Sequence, residues 1–285
     1  MPFIVPLNVA EADYPEFIFL AALTPSEQKA AFHVRDAAGQ DLCLKIIAPH
    51  FSIDRLEREI QALQQLDHPN VVRLKEYTFS SKGGKQRHYM VEEFIAGSDL
   101  AASLIDGQPW QRSRVSDFFA ALCDGLSALR SANIVHRDLK PTNIRVRTNG
   151  SPVIIDFGLA RLLDLPDLTK TANGAAIGTP AYFAPEQADP ASTKHNIDHR
   201  TDLFSVGVML YQALVGSHPF LKPGMSCQEL RSAICTAADW RSQPGFVSLP
   251  NPWKLITAKL LEKERARRPL EAEQVGSILR KLGGV

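Results

Sequence analysis

The sequence predicts an α+β chain, a small β-rich part followed by a larger and mostly helical one. Three observations carry this. Short apolar runs with strand alternation crowd the first third of the 285 residues. One amphipathic stretch interrupts them, and longer apolar runs at helical spacing fill the remainder. The length exceeds an ordinary single core only slightly, so one two-lobed unit or two small domains are expected.

Strands are expected at Phe17–Ala22, Ala31–Arg35 and Leu42–Ile47, with a turn at Ala38-Gly39-Gln40 before the third. Lys45 stands among apolar neighbours there. Read alone, it is a strand lysine that snorkels to water or an ammonium aimed at phosphate. Residues 53–66 set Ile53, Leu56, Ile60, Leu63 and Leu66 on one helical face, with Asp54 in the first turn and His68-Pro69-Asn70 as the stop. A strand starts over Val71–Leu74. Val71–Ser80 and Gln86–Val91 read as a hairpin around Ser81–Lys85, where the Gly83-Gly84 pair supplies the turn. Residues 113–132 form an apolar helix capped by Ser113 or Ser116. Further helices are expected over Asp202–Leu214, Trp253–Leu261 and Glu273–Leu282, with a loop at Gly216–Pro223. Trp240 and Trp253 read as core, whereas His195, His199 and His218 lie in loops without metal spacing and read as surface.

The net charge of +1 gives no reason to expect nucleic acid or an anionic membrane as partner. Cys43, Cys123, Cys227 and Cys235 are scattered without a CxxC pair, which points to reduced thiols and a cytoplasmic setting. The opening MPFIVPLNVAEADYPEF lacks a basic n-region, so no signal peptide is expected, and no apolar run approaches the ~18 residues of a membrane span. The chain is expected to end at Val285 without a tail, linker or sensor domain.

The most informative stretch is residues 134–161, IVHRDLKPTNIRVRTNGSPVIIDFGLAR. It sets His136-Arg137-Asp138 and Asn143 before a short apolar run and Asp156-Phe157-Gly158 directly after it. Two acids and an amide delivered by neighbouring loops suit metal-assisted phosphoryl transfer: Asp138 can accept a hydroxyl proton while Asn143 and Asp156 hold Mg²⁺. The joint match resembles the eukaryotic-like (Hanks-type) Ser/Thr protein kinases, and the resemblance covers nearly the whole chain.

That resemblance implies the bilobal protein-kinase fold, with a β-rich N-lobe at residues 1–95 (1–13 being a short extension), helix C, and a mostly helical C-lobe at 96–285. It implies ATP and Mg²⁺ or Mn²⁺ as cofactors. The implied function is transfer of the γ-phosphate to Ser/Thr hydroxyls of a protein, autophosphorylation included, and it allows a homodimer for trans-autophosphorylation. Lys45 matches the strand lysine that meets the phosphates, and Glu59 its helix-C partner; the 14 residues between them are about a turn of helix fewer than the family pattern. The backbone around Glu93 and Ile95 matches the adenine-binding hinge. Asp99 matches a position that meets the ribose or a basic substrate residue; read by itself it is equally a helix N-cap. Lys140 is the Ser/Thr-type residue on the γ-phosphate. His136 and Phe157, with Leu63 and Leu74, would stack as an apolar spine anchored by Asp202. Gly178-Thr179-Pro180 matches the substrate-docking loop, Thr179 bonding Asp138 and Lys140, and Glu186 is expected to pair with Arg268. The usual activating phosphosite is Ala175, so either no phosphate is needed or Thr169 or Thr171 serves, paired to Arg137 or Arg161. The GTPAYFAPEQ wording and the brevity of the chain resemble bacterial members.

Four departures cluster on the nucleotide. The segment Leu23–Ala30 takes the place of the Gly-rich loop, yet Leu23, Pro25 and Gln28 stand at its glycine positions. Cys43 replaces a small alanine above the adenine. Glu92 stands at the usually apolar gatekeeper position, and Arg145 replaces an aliphatic residue beneath the adenine. Arg145 can stack on a purine, or pair with Glu92 and partly fill the pocket. These departures motivate the alternative, a pseudokinase acting as a scaffold. A third reading is transfer to a non-protein acceptor or of a nucleotidyl group.

Overall fold

The computed structural model describes residues 2–26, 29–49, 57–156, 180–189 and 197–283, with backbone alone at 57–59. They divide into two compact units, one ending at Ala96 and the other beginning at Gly97. Among the described residues no helix is long and apolar enough to cross a membrane. None of the four cysteines forms a disulfide.

The first unit is built on an antiparallel sheet of β1 (Ile18–Ala22), β2 (Lys29–Arg35), β3 (Asp41–Ile47), β4 (Leu74–Lys82) and β5 (Lys85–Glu93), in the order β1-β2-β3-β5-β4. Gly83 and Gly84 connect β4 to β5 with φ of +57° and +72°, the primed turn that matches strand twist. β4 begins only at Leu74; Val71 makes an isolated bridge. Helix α2 (Glu57–Gln65) buries Ile60 and Leu63, while Ile53, Asp54 and Leu56 lie outside the described residues.

Sheet register assigns the two faces. Leu42, Leu44 and Ile46 of β3 share one face with Tyr89 and Val91 of β5, and the N-terminal segment covers that face with Val5, Ala10 and Tyr14. The extension is therefore structured, a result the sequence did not announce: α1 (Leu7–Asp13) turns through Tyr14, whose ring meets that of Tyr89 edge-on at 5.1 Å. The opposite face of the same strands carries Cys43, Lys45, Met90 and Glu92, by alternation.

In the second unit, β6 (Gly97–Asp99), β7 (Ile144–Arg147) and β8 (Pro152–Ile154) form a small antiparallel sheet. Below it, α3 (Arg112–Ser131) packs along the C-terminal helix Ala272–Gly283. Neither Ser113 nor Ser116 caps α3; the helix begins at Arg112, and buried Ser116 instead donates to the Leu279 carbonyl. Helix His199–Val215 is apolar nearly all round because it is buried nearly all round. Asp198 caps its N-terminus, bonding the Arg200 N–H, and Gly216 at φ +78° ends it in the left-handed conformation. Trp240 and Trp253 are core, at 1% and 3% exposure.

His218 is not a surface residue. Its Nδ1 accepts from the Phe220 and Leu221 N–H groups, Tyr182 packs against its ring, and burial pushes its pKa down to about 4. His199 opens the helix and its Nε2 lies 2.6 Å from the Leu270 carbonyl oxygen; His195 lies outside the described residues.

Tyr14 makes the N-terminal cover testable. The residue is fully buried, and its hydroxyl has no hydrogen-bond partner. Tyr14→Ala should cost about 3–5 kcal/mol as a large-to-small core change. Tyr14→Phe should be neutral or stabilising, because it removes only an unsatisfied polar atom. Urea unfolding of both variants measures this; a Tyr14→Phe loss as large as that of Tyr14→Ala contradicts the account.

Candidate active site

The loop between α3 and β7 depends on one buried carboxylate. Asp202, in the first turn of His199–Val215, accepts from the backbone N–H groups of His136 at 2.8 Å and Arg137 at 2.9 Å. Arg137 sits at φ +63° and Asp156 at φ +57°, conformations uncommon for residues with side chains. Such strain persists only where its surroundings over-determine it. Here the surroundings are Asp202 and the side chain of Gln187, which donates to the Arg137 carbonyl at 2.7 Å. Burial raises the Asp202 pKa, opposed by His136 and the two amides.

His136 ties this loop to the next. One tautomer satisfies both ring nitrogens, with Nε2–H donating to the Ile155 carbonyl at 3.0 Å and Nδ1 accepting from the Asp138 N–H at 3.3 Å. The Ile155 N–H in turn donates to the Asn143 carbonyl at 2.9 Å. Asp156 therefore follows directly from a residue bonded to both ends of the HRDLKPTN segment.

On that frame the structure brings Asp138, Lys140 and Asn143 together. The Asp138 carboxylate accepts from Lys140 Nζ at 2.8 Å and from the Asn143 amide at 3.2 Å, and the same amide donates to the Asp138 carbonyl at 2.8 Å. Asp138 and Lys140 remain 21% and 31% exposed at their side chains, so the pair is open to a reactant. With its amide nitrogen committed, Asn143 offers Oδ1 as its ligating atom.

Arg145 is held at home. β6–β7 register places it opposite Asp99, and its guanidinium donates to the Asp99 carboxylate at 2.8 Å and to the Gly97 carbonyl. Asp99 precedes a 3₁₀ turn at Leu100–Ala102 but makes no capping bond with its side chain. Glu92 bonds Lys45 within the first unit. Arg145 thus meets Asp99 and Glu92 meets Lys45, each pair set by strand register within its own unit.

Other expected residues are placed as follows. Cys43 and Ile95 are buried; the Glu93 N–H donates to the Arg73 carbonyl, and its carboxylate accepts from the Arg73 N–H. Leu63, Leu74 and His136 are each buried. The side chain of Glu59 and all of Gln28, Phe157, Gly158, Arg161, Thr169, Thr171, Ala175 and Thr179 lie outside the described residues. The segment that lacks glycines is closed by Leu23 N–H to Ala31 O, Ser26 N–H to Lys29 O and Lys29 N–H to Ser26 Oγ. It is also pinned from outside, since the Phe3 N–H donates to the Ser26 carbonyl at 2.7 Å.

Glu186 and Arg268 form a bidentate pair at 2.7 and 2.8 Å, with Thr201 donating to the same carboxylate and Arg268 reaching the carbonyls of Arg200, Glu262 and Lys263. This locks the short helix Pro185–Ala188, which carries Gln187, onto the core.

Two loops tied by a buried aspartate and histidine in one unit, and a five-stranded antiparallel sheet in the other, are the parts of a protein kinase domain. The chain belongs to that family, whose model matches residues 30–277. It is 35% identical over 199 residues to the serine/threonine-protein kinase Pkn1 of Myxococcus xanthus (67% of this chain, 27% of that protein). It is 31% identical over 237 residues to pkn3 of the same organism (80% and 42%). With PkaA of Streptomyces coelicolor it shares 30% identity over 250 residues (85% and 43%). The chain thus spans less than half the length of each of these relatives, and its resemblance is to the bacterial Hanks-type kinases.

The Glu186–Arg268 pair carries a stability prediction. Burial opposes ionisation of Glu186, but the Arg268 hydrogen bonds and charge outweigh it and hold its pKa below the ordinary carboxylate range. A depressed carboxylate stabilises above its unfolded pKa, and that contribution is lost as pH falls through the folded value. Arg268→Met should cost about 3–5 kcal/mol at neutral pH by stranding a buried charge. Glu186→Gln should flatten the acid limb of a stability–pH curve; an unchanged limb contradicts the assignment.

Proposed function

We propose that this chain is the catalytic domain of a protein serine/threonine kinase, transferring the γ-phosphate of ATP to protein hydroxyls and capable of autophosphorylation. The observation that carries the reading is the Asp138–Lys140–Asn143 cluster, bonded through Asn143 and Ile155 to the loop that bears Asp156. Asp138 orients the acceptor hydroxyl and takes its proton. Lys140, already 2.8 Å from Asp138, steadies the transferred phosphoryl group. Lys45 engages the other phosphates with Glu59 as its partner, and the backbone at Glu93 and Ile95 takes the adenine.

Asn143 Oδ1 and the Asp156 carboxylate are hard oxygen donors suited to Mg²⁺ or Mn²⁺. Among the described residues no cluster of three or more Asp, Glu, His or Cys side chains forms a self-sufficient metal site, so the nucleotide's own oxygens would complete the ligand set. The ion, when bound, neutralises charge on the phosphates. Thr169 or Thr171 is the proposed activating phosphosite and Thr179 the docking residue. A cytoplasmic setting, with a protein as partner rather than nucleic acid or membrane, is supported by the charge balance and by cysteines that form no disulfide. Trans-autophosphorylation would proceed through a homodimer.

A second reading, a pseudokinase scaffold, is favoured by the two ion pairs that already engage Lys45 and Asp99. Intact-mass analysis after incubation with Mg²⁺-ATP separates the two. Phosphate additions are expected on the parent, with Asp138→Asn and Asp156→Asn reducing their rate by about 10²–10⁴-fold and chelation of the metal abolishing them. No addition and no turnover of a generic protein substrate would favour the scaffold, and a nucleotide adduct would favour the third reading, AMP transfer.

A further inference from the structure

Lys45 and Glu92 do not meet by chance of side-chain length. β3 and β5 run antiparallel with Cys43 opposite Glu92 and Lys45 opposite Met90. Lys45 and Glu92 are therefore diagonal neighbours on one face of the sheet, a spacing that long side chains bridge. The ammonium bonds Glu92 Oε2 directly, and the two residues are 5% and 4% exposed.

Register here cannot slip. A shift by one residue would turn either Leu42, Leu44 and Ile46 of β3 or Tyr89 and Val91 of β5 away from the core they share with Val5, Ala10 and Tyr14. An isolated carboxylate at this depth would be strongly disfavoured, so Glu92 needs the Lys45 ammonium. A glutamate in a position that ordinarily needs only an apolar wall is thus explained by what it holds.

We propose that Glu92 is a positioning residue for Lys45, fixing the ammonium from β5 so that its placement does not depend on α2 alone. The proposal rests on the kinase reading, in which Lys45 meets the phosphates. Two hydrogen-bonded strands of one sheet carry the pair, whereas α2 is a separate element with Glu59 on its first described turn. An ammonium has three donors, so its bond to Glu92 leaves donor capacity for phosphate oxygens. The alternative role for Glu92 is opposite in sign: a carboxylate that competes with phosphate for Lys45 and weakens nucleotide binding.

The test compares the parent with Glu92→Gln, Glu92→Met and Glu92→Asp. Calorimetry gives the Kd for Mg²⁺-ATP, radiolabelled phosphate transfer gives kcat and KM, and thermal melting confirms folding. Positioning predicts a Kd and KM for ATP raised by about 10-fold or more in Glu92→Gln and Glu92→Met, a lowered kcat, and partial rescue in Glu92→Asp. Values within about two-fold of the parent in folded variants overturn the proposal, as does tighter ATP binding, which would establish the competing role. Should the Gln and Met variants not fold, Glu92→Asp decides alone: it keeps the charge but shortens the reach, and an unchanged Kd and KM overturn the proposal. A parent that binds ATP without transferring phosphate defeats the kinase reading, and the Kd series still judges Glu92. A parent that does neither defeats both.

Discussion

Asp202 is the constraint on which the candidate site depends. Two backbone amides bond its carboxylate, and with Gln187 on the Arg137 carbonyl they hold the left-handed backbone at Arg137. Desolvation works against the carboxylate and raises its pKa, opposed by His136, the two amides and Arg137 around it. From this point the rest follows by short links. His136 reaches Ile155, Ile155 reaches Asn143, and Asn143 reaches both the carbonyl and the carboxylate of Asp138. Each bond is modest alone, but the chain closes on itself, and closure is what holds the three side chains of the candidate site to one geometry.

Charge elsewhere is managed by strand register. Lys45 and Glu92 meet diagonally across β3 and β5, and Asp99 and Arg145 directly across β6 and β7. In both places a charged residue stands where an apolar one would fit, and in both the neighbouring strand provides the opposite charge. The two pairs differ in depth. Lys45 and Glu92 are buried, so removing Lys45 strands the Glu92 carboxylate. Arg145 and Asp99 retain 23% and 43% side-chain exposure, so solvent screens them and their pairing contributes little to stability.

How much of this could be read in the sequence depended on whether a signal was local. The Gly83-Gly84 turn, the stop at His68-Pro69-Asn70 and the spacing from His136 to Asp156 are local, and they gave the hairpin, the end of α2 and the order of the two loops. The partners of Glu92 and Arg145 are not local. Glu92 lies 47 residues from Lys45, and only register decides that they are diagonal neighbours. Helix α1 was illegible for a different reason: LNVAEAD is too short to form a helix by its own propensity, and the sheet face beneath it supplies the stabilisation. Ser116 looked like a helix cap because serine favours caps, yet burial against the C-terminal helix turned its hydroxyl to the Leu279 carbonyl. His218 carried a polar label into a loop whose aromatic neighbours exclude water.

The first 29 residues lie outside the family match, and they include most of the segment where glycines were expected. A glycine-rich loop can follow a phosphate because its backbone is unencumbered. Leu23–Ala30 has no glycine, and its described residues are held by other means. Hydrogen bonds close it internally at Leu23, Ser26 and Lys29, and the Phe3 N–H fastens Ser26 to the N-terminal segment. That segment is itself anchored by Val5, Ala10 and Tyr14 on the sheet face opposite Lys45. The same strands are therefore constrained from two sides. On one face, apolar burial of the N-terminal cover fixes the register. On the other, that register brings Lys45 to Glu92. Departures that look independent along the sequence — an ordered extension, a loop without glycine, a buried glutamate — meet on one sheet.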